Sequence, residues 1–189
     1  MQSVCIISMD DTYPRELERA WRYVLNGKNV QICTLNYKDS GIIKKIKTCA
    51  PLAIILSGSD HRILDVGSPT LPSEVLRLNI PILGICYGFQ WLIRQTRGGI
   101  CTHDDKGLHQ YGKFLTIYGK TNVYRFKHHD FVCDLDETKW RGEIYDDSGV
   151  QIWMATHKTL PLTGVQFHPE KKDASAKTFF SNWLAENVR

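Results

Sequence analysis

Hydrophobic positions in this chain follow two patterns that alternate along its first half. Short, largely apolar runs lie at residues 4–8, 30–35, 52–56 and 81–85, and each has the length of one strand. The run at 52–56 is apolar throughout, which is typical of a parallel strand covered on both faces. These runs predict a buried, mostly parallel sheet.

Segments with helical spacing separate the runs. Pro14 begins a predicted helix and Gly27 ends it, and four apolar residues share one face of that helix: Leu17, Trp21, Val24 and Leu25. Shorter helices are predicted at 40–47, 72–78 and 89–97. The alternation of strand and helix predicts an α/β fold with a doubly wound sheet, whose reactive loops gather at the carboxyl ends of the strands.

The pattern changes after Gly99, where short strands replace the alternation. No linker, repeat or low-complexity segment interrupts the chain, so 1–189 is predicted to be one domain. The later elements are predicted as strands at 114–117, 122–126, 150–156 and 162–167, followed by a helix at 174–187.

Composition and charge narrow the class of protein. The net charge of +4 is not arranged as a basic stripe with exposed aromatics, so nucleic-acid binding is not expected. No apolar run approaches the roughly 20 residues that a membrane-spanning helix needs. The amino terminus lacks a secretory pattern, which predicts a cytoplasmic location and reduced thiols for the six cysteines.

The sequence Gly84-Ile85-Cys86-Tyr87-Gly88 follows the fourth apolar run and precedes a predicted helix. Strand, tight turn and helix are the context of a nucleophile elbow, in which small flanking residues hold a reactive side chain at an exposed tip. Cys86 is the predicted nucleophile. The N–H of Tyr87, at the helix amino terminus, is placed to stabilise an oxyanion.

A second motif, Val165-Gln166-Phe167-His168-Pro169-Glu170, supplies the remaining parts of a nucleophile, base and acid triad. Alternating polarity predicts a half-buried strand that ends at His168. Pro169 restricts the backbone on both sides of itself, so His168 and Glu170 project in a defined relation. His168 is the predicted base, and Glu170 is the carboxylate that orients it.

Together the two motifs resemble those of the class I (triad) glutamine amidotransferases, and His128-His129-Asp130 is similar to a segment of the GMP synthetase glutaminases within that family. The resemblance implies a flavodoxin-like fold and hydrolysis of glutamine through a thioester on Cys86. It also implies that Gln90 binds substrate and that His128 and Asp130 lie near the substrate's α-amino and α-carboxylate groups. The segment His128-His129-Asp130 could instead form a solvated turn. A metal site is not expected, because the histidines lack metal-ligand spacing.

The turn after the third strand, Ser57-Gly58-Ser59-Asp60, departs from the family pattern of Gly-Gly-Pro. The resemblance implies that Gly58 and Ser59 supply the second oxyanion N–H. If residue 59 needs a positive φ, serine there costs about 1–2 kcal/mol. Asp60 is expected to turn outward, towards His61 or Arg62.

Three functions remain open at this point. The first is a glutaminase that needs no cofactor of its own and passes ammonia to a separate synthetase using ATP and magnesium, such as one that makes GMP. The second is a free-standing hydrolase of γ-glutamyl peptides. The third is a non-catalytic binding or regulatory module of the same fold, which the altered Ser59-Asp60 turn motivates.

Overall fold

The structure is a computed structural model that describes residues 2–10, 14–103 and 108–188. Its strands are β1 (Gln2–Ser8), β2 (Val30–Asn36), β3 (Pro51–Leu56), β4 (Ile82–Ile85), β5 (Gly99–His103), β6 (His109–Ile117), β7 (Lys120–His128), β8 (Asp130–Leu135), β9 (Trp140–Tyr145), β10 (Ile152–His157) and β11 (Leu162–Val165). The helices are α1 (Pro14–Leu25), α2 (Ile42–Cys49), α3 (Tyr87–Thr96) and α4 (Asp173–Asn187), with short 3-10 helices at Ser73–Leu78 and Pro169–Lys171.

Seven strands form the central sheet, in the order β2-β1-β3-β4-β11-β10-β9. The first five are parallel, and β10 and β9 continue the sheet in antiparallel pairing. β5 pairs with β8, and β6 pairs with β7, as two small antiparallel sheets. The predicted α/β fold with a doubly wound, mostly parallel sheet is therefore confirmed.

Both faces of the sheet are buried, since successive side chains of a strand point to opposite sides. On one face, Val4 and Ile6 of β1 pack with residues of α1, α4 and the β6–β7 hairpin. On the other face, Cys5 and Ile7 of the same strand pack with residues of α2 and α3. The largely apolar runs of the sequence follow from this two-sided burial.

The later part of the chain holds more strands than its pattern predicts. β5, β8 and β9 were not expected, because they are five or six residues long and each has at most two buried positions. The strand predicted at 162–167 is present as β11, but it ends at Val165 and is buried throughout, so the prediction that it is half-buried is wrong. Its neighbours β4 and β10 cover both of its edges. No helix among the described residues is long and apolar enough to cross a membrane.

Two of the six cysteines contradict the prediction of reduced thiols. Cys33 of β2 and Cys49 at the end of α2 are joined by a disulfide. Their spacing of 16 positions in the sequence gave no sign of the pairing, which arises because α2 folds back over β2. Cys5, Cys86, Cys101 and Cys133 are free thiols.

Two glycines allow the turn from β4 into α3 to fit between neighbouring elements. A Cβ atom added to Gly84 would lie 2.6 Å from the backbone of Gly88, and one added to Gly88 would lie 2.6 Å from the carbonyl oxygen of Leu56. Real Cβ atoms do not approach backbone atoms so closely. The glycines around Cys86 are therefore required by the contact of α3 with β3 and β4.

We expect Gly88→Ala to lower the free energy of unfolding by about 1–3 kcal/mol, because β3 or α3 must shift to admit the methyl group. Urea unfolding followed by circular dichroism measures the change. Gly112→Ala is the matched control. A Cβ there would lie 3.4 Å from its nearest neighbour, a side-chain atom of Val123, and should change the stability by less than about 1 kcal/mol. Equal stability of the two variants would contradict this account of the turn.

Candidate active site

Cys86 lies at the turn between β4 and α3, as the elbow motif predicts. Its backbone has φ 53° and ψ −104°, outside both the right-handed and the left-handed helical regions. Residues in such sparsely populated conformations cost about 1–3 kcal/mol and are concentrated at functional sites. The side chain is 3% exposed and lies at the amino terminus of α3.

His168 and Glu170 meet beside this turn. The Nδ1 atom of His168 lies 2.6 Å from Oε1 of Glu170, and both side chains are buried. The backbone N–H of His168 donates to the carbonyl of Arg125 at 2.7 Å, which ties the residue to β7. The carboxylate thus fixes the orientation of the ring, as the motif predicts for a base and its orienting acid.

The charge state of His168 follows from these neighbours. Burial opposes the charged ring, but the carboxylate of Glu170 and the hydrogen bonds to Cys86 and Glu170 outweigh it. The pKa of His168 is consequently raised well above its ordinary value of about 6.5. The Glu170 carboxylate contacts the ring of His168, and Cys86 Sγ and His168 Nε2 both contact the carbonyl oxygen of Lys127, so the structure brings the three predicted residues together.

One backbone carbonyl contacts both reactive side chains. The carbonyl oxygen of Lys127, on β7, lies 3.2 Å from Nε2 of His168 and accepts a hydrogen bond from Sγ of Cys86 at 3.4 Å. β7 thus forms one wall of the site. Sequence motifs do not indicate this contact, because it depends on a backbone atom.

Gln166 is a site residue that the sequence reasoning missed. Its Nε2 atom donates to Sγ of Cys86 at 3.5 Å, and its Oε1 atom accepts from Nε2 of Gln90 at 3.3 Å. The residue is fully buried. Its place in the sequence could have indicated this role, because a glutamine between two buried apolar residues needs a hydrogen-bond partner inside the protein.

Gln90 is fixed inside the protein. Besides Gln166, its Nε2 atom donates to the carbonyl oxygen of Asp130 at 2.6 Å. The side chain is buried and lies one helical turn beyond Cys86, as its spacing predicts. In this arrangement Gln90 joins α3 to the start of β8, and its predicted role in substrate binding stays a prediction.

His128 and Asp130 are also buried, so this segment is not a solvated turn. The Asp130 carboxylate accepts a hydrogen bond from the N–H of Ile63 at 2.8 Å and contacts Nδ1 of His103 at 2.6 Å. The ring of His128 packs against an aromatic cluster that includes Tyr111. Their predicted contact with substrate stays a prediction.

The turn after β3 keeps a backbone compatible with serine. Ser59 is not among the described non-glycine residues with positive φ, so its side chain adds no strain of that kind. Its Oγ accepts a hydrogen bond from the N–H of His61 at 3.1 Å. Ser57, at the start of the turn, accepts a hydrogen bond from the N–H of Gly88 at 3.1 Å through its carbonyl, which holds the turn against α3.

The prediction that Asp60 turns towards His61 or Arg62 is wrong. Its Oδ1 atom lies 3.0 Å from Nζ of Lys127, whereas His61 contacts Asp10 at 3.2 Å and Arg62 lies 3.9 Å from Asp130. The ion pair forms because the end of β7 approaches the turn, and its partners are 67 positions apart in the sequence. It bridges the turn after β3 and the wall formed by β7.

The space beside His168 is small in this structure. A cavity of about 10 Å³, enough for about one water molecule, is lined by Ser59, Asp60, Leu108, Lys127, His129, His168 and Lys171. Larger grooves lie elsewhere, including one of about 640 Å³ at the opposite ends of the parallel strands, near Pro51, Pro81 and Pro161. That groove is remote from the thiol, so it is not the candidate active site.

One group of cysteines among the described residues has atoms close enough to suggest a metal site. The sulfurs of Cys5, Cys33 and Cys49 lie within 4.8 Å of one another, but two of them belong to the disulfide. The group lies on β1, β2 and α2, away from Cys86. The candidate active site instead combines the Cys86 thiol with an imidazole that a carboxylate orients. That combination supports acyl transfer to the thiol.

Comparison with known proteins identifies the family of this chain. Residues 6–186 match the family model described as glutamine amidotransferase class-I. A glutamine-hydrolyzing GMP synthase of Staphylococcus epidermidis is 34% identical over 156 residues, which are 77% of this chain and 28% of that protein. The corresponding protein of Gloeothece citriformis is 28% identical over 179 residues, or 89% of this chain and 31% of the relative.

The chain spans about three tenths of the length of these two relatives. A solved structure from Thermoplasma acidophilum, described as a GMP synthase subunit, matches the fold with a TM-score of 0.72. The match covers 98% of this chain and 93% of that one, at 20% sequence identity. Since the family model extends through nearly the whole chain, this protein belongs to the class I glutamine amidotransferase family.

Proposed function

We propose that this protein hydrolyses the side-chain amide of glutamine. The observation that carries the proposal is the group at the elbow, in which Cys86 Sγ and His168 Nε2 contact the same carbonyl oxygen of Lys127 and Glu170 orients the imidazole. The family match supports glutamine as the substrate. The chain's own residues supply every acid, base and nucleophile that the reaction needs, so we propose no cofactor for this step.

In the first half of the reaction, Cys86 sulfur bonds to the amide carbon and its proton passes to His168. The resulting oxyanion accepts hydrogen bonds from the backbone N–H groups of Tyr87 and of the Gly58-Ser59 turn. His168 then protonates the amide nitrogen, the carbon–nitrogen bond breaks, and ammonia leaves a γ-glutamyl thioester. The raised pKa of His168 favours the protonated ring that this second transfer requires.

In the second half, water replaces ammonia. His168 removes a proton from the water as its oxygen bonds to the thioester carbon, and the carbon–sulfur bond breaks to release glutamate. The proton returns to the sulfur through His168. Gln166, which directly follows β11, donates to Cys86 sulfur at 3.5 Å and is placed to orient it.

We further propose that the ammonia passes to a synthetase partner that uses ATP and magnesium. Two curated relatives are glutamine-hydrolyzing GMP synthases, and the protein of similar fold is described as a GMP synthase subunit. These names favour a synthetase of the GMP type as the partner.

Neither alternative has a specific observation in its favour. The non-catalytic alternative was based on Ser59 and Asp60, but Ser59 adopts no positive φ and His168 keeps its contact with Glu170. The cavity of about 10 Å³ gives no preference to a bulky γ-glutamyl peptide. Glutaminase activity is therefore the function that the geometry favours.

Cys86→Ala should reduce glutamine hydrolysis more than about 10⁴-fold, because no other described side chain occupies the elbow. Ammonia release measures the rate, and a diazo-ketone analogue of glutamine, followed by mass spectrometry, tests whether residue 86 is alkylated. Cys133→Ala, which changes a free thiol on β8, is the matched control and should keep activity and labelling. Full activity of folded Cys86→Ala would refute the proposal.

Glu170→Gln should lower the pKa of His168, because it removes the negative charge that outweighs burial of the ring. NMR titration of the imidazole measures that pKa in both proteins. Turnover should fall by less than it does in Cys86→Ala, since Glu170 orients the base and does not bond to substrate.

The same change has a defined effect on stability. Because the pKa of His168 is higher in the folded than in the unfolded protein, protonation of the ring adds to the free energy of unfolding. This contribution is present below the unfolded pKa of about 6.5 and is lost as pH rises through the folded pKa. The difference in free energy of unfolding between wild type and Glu170→Gln should therefore be larger near pH 6.5 than at pH values above the folded pKa of His168. A difference that grows with pH would contradict the assigned interaction.

A further inference from the structure

Three cysteines meet under α2, at the edge of the central sheet and away from the candidate active site. Cys5 of β1 and Cys33 of the edge strand β2 are register partners, and Cys49 lies at the end of α2. Their sulfur atoms all lie within 4.8 Å of one another. The mechanism above uses none of them, and the disulfide between Cys33 and Cys49 leaves the adjacent thiol of Cys5 without an assigned role.

Contacts other than the disulfide also hold these side chains together. Parallel pairing of β1 with β2 fixes Cys5 beside Cys33, and residues of α2 pack on the face of the sheet that carries both. The Oγ atom of Ser3 donates to the carbonyl oxygen of Cys49 at 2.6 Å, which ties the end of α2 to β1. Opening the S–S bond would therefore leave three thiols in one place.

The spacing of the sulfurs suits a metal ion bound by thiolates. Zn–S bonds are about 2.3 Å long, so two sulfurs of a tetrahedral site lie about 3.8 Å apart. The sulfurs of Cys33 and Cys49 need only rotate away from each other, since none of the three starts more than 4.8 Å from the others. Sulfur ligands select soft cations such as Zn²⁺, whereas Mg²⁺ and Ca²⁺ prefer oxygen.

One side of the cluster is open to solvent. Cys5 is fully buried, whereas Cys33 and Cys49 are half-buried at the sheet edge. An ion can therefore enter from solvent, and a water molecule can occupy its fourth coordination position. Three thiolates and Zn²⁺ carry a net charge of −1, and the sequence of α2 supplies three lysines and no acidic residue to balance it.

We propose that Cys5, Cys33 and Cys49 form a Zn²⁺ site in the reduced protein. A dithiol reductant supplies two electrons and two protons to the disulfide and becomes a disulfide itself. The two new thiols, together with Cys5, then bind one Zn²⁺ and release three protons. In the oxidised protein only Cys5 keeps a free sulfur, so the site is closed. The bound ion joins α2 to both strands, as the disulfide joins α2 to β2.

Zinc binding to the full chain is measured by competition with a chromophoric chelator, with the disulfide intact and after reduction by a phosphine that is removed without oxygen. The reduced protein should bind one Zn²⁺ with a Kd below about 1 μM, and the oxidised protein should bind it at least about 100-fold more weakly. An excess of Mg²⁺ should not compete. Cys86→Ala should bind zinc like the wild type, because the elbow thiol is not a ligand of this site.

Cys5→Ala and Cys33→Ala each remove one ligand and should weaken zinc binding by the reduced protein about 100- to 1000-fold. Cys101→Ala and Cys133→Ala are matched controls that remove one buried and one half-buried thiol outside the cluster, and both should bind zinc like the wild type. In the reduced wild type, zinc should slow alkylation of Cys49 by iodoacetamide and leave that of Cys133 unchanged. Mass spectrometry measures this protection without any variant, so it decides the matter if Cys5→Ala fails to fold.

Three results would overturn the inference. They are a reduced wild type that binds no zinc, zinc binding that survives the loss of both Cys5 and Cys33, and zinc binding that disappears in Cys86→Ala. None of these readouts uses glutamine turnover, so failure of this inference leaves the proposed function untouched.

Discussion

The parallel pairing of β4 with β11 is the interaction on which the site depends. In this register Ile85 lies opposite Val165, and the N–H of Cys86 donates to the carbonyl of Val165 at 2.6 Å. The two strands therefore end side by side. One strand turns into α3 and carries the thiol, while the other continues through Gln166 to His168. A shift of this register by one residue would separate the base from its nucleophile.

The arrangement buries several polar groups that the rest of the fold must accommodate. The Glu170 carboxylate contacts the ring of His168. Gln166 donates to the Cys86 sulfur and accepts from Gln90, which also donates to the carbonyl at the start of β8. Networks of this kind add little net stability compared with apolar packing, and loss of one member leaves another unsatisfied. Their contribution is to hold the thiol and imidazole in one geometry.

The sequence was informative where a physical requirement is local. Apolar runs covered on both faces predicted the parallel strands, and glycines around Cys86 predicted the turn that only small residues allow. The position of His168 beside that turn also followed, because reactive loops share one edge of such a sheet.

Features created by distant segments could not be found in the same way. The Asp60–Lys127 pair and the Cys33–Cys49 disulfide depend on where β7 and α2 pack, which no short motif specifies. β5, β8 and β9 escaped prediction because tertiary pairing stabilises strands whose own patterns are weak.

The backbone of Cys86 has a consequence for how this chain can evolve. With φ 53° and ψ −104°, the position would be relaxed by glycine, which has no Cβ to clash. A mutation to glycine would thus be favoured wherever selection acted on stability alone. A cysteine is therefore expected to persist at this point only while its sulfur serves a function that outweighs the conformational cost, which is the case if Cys86 is the proposed nucleophile.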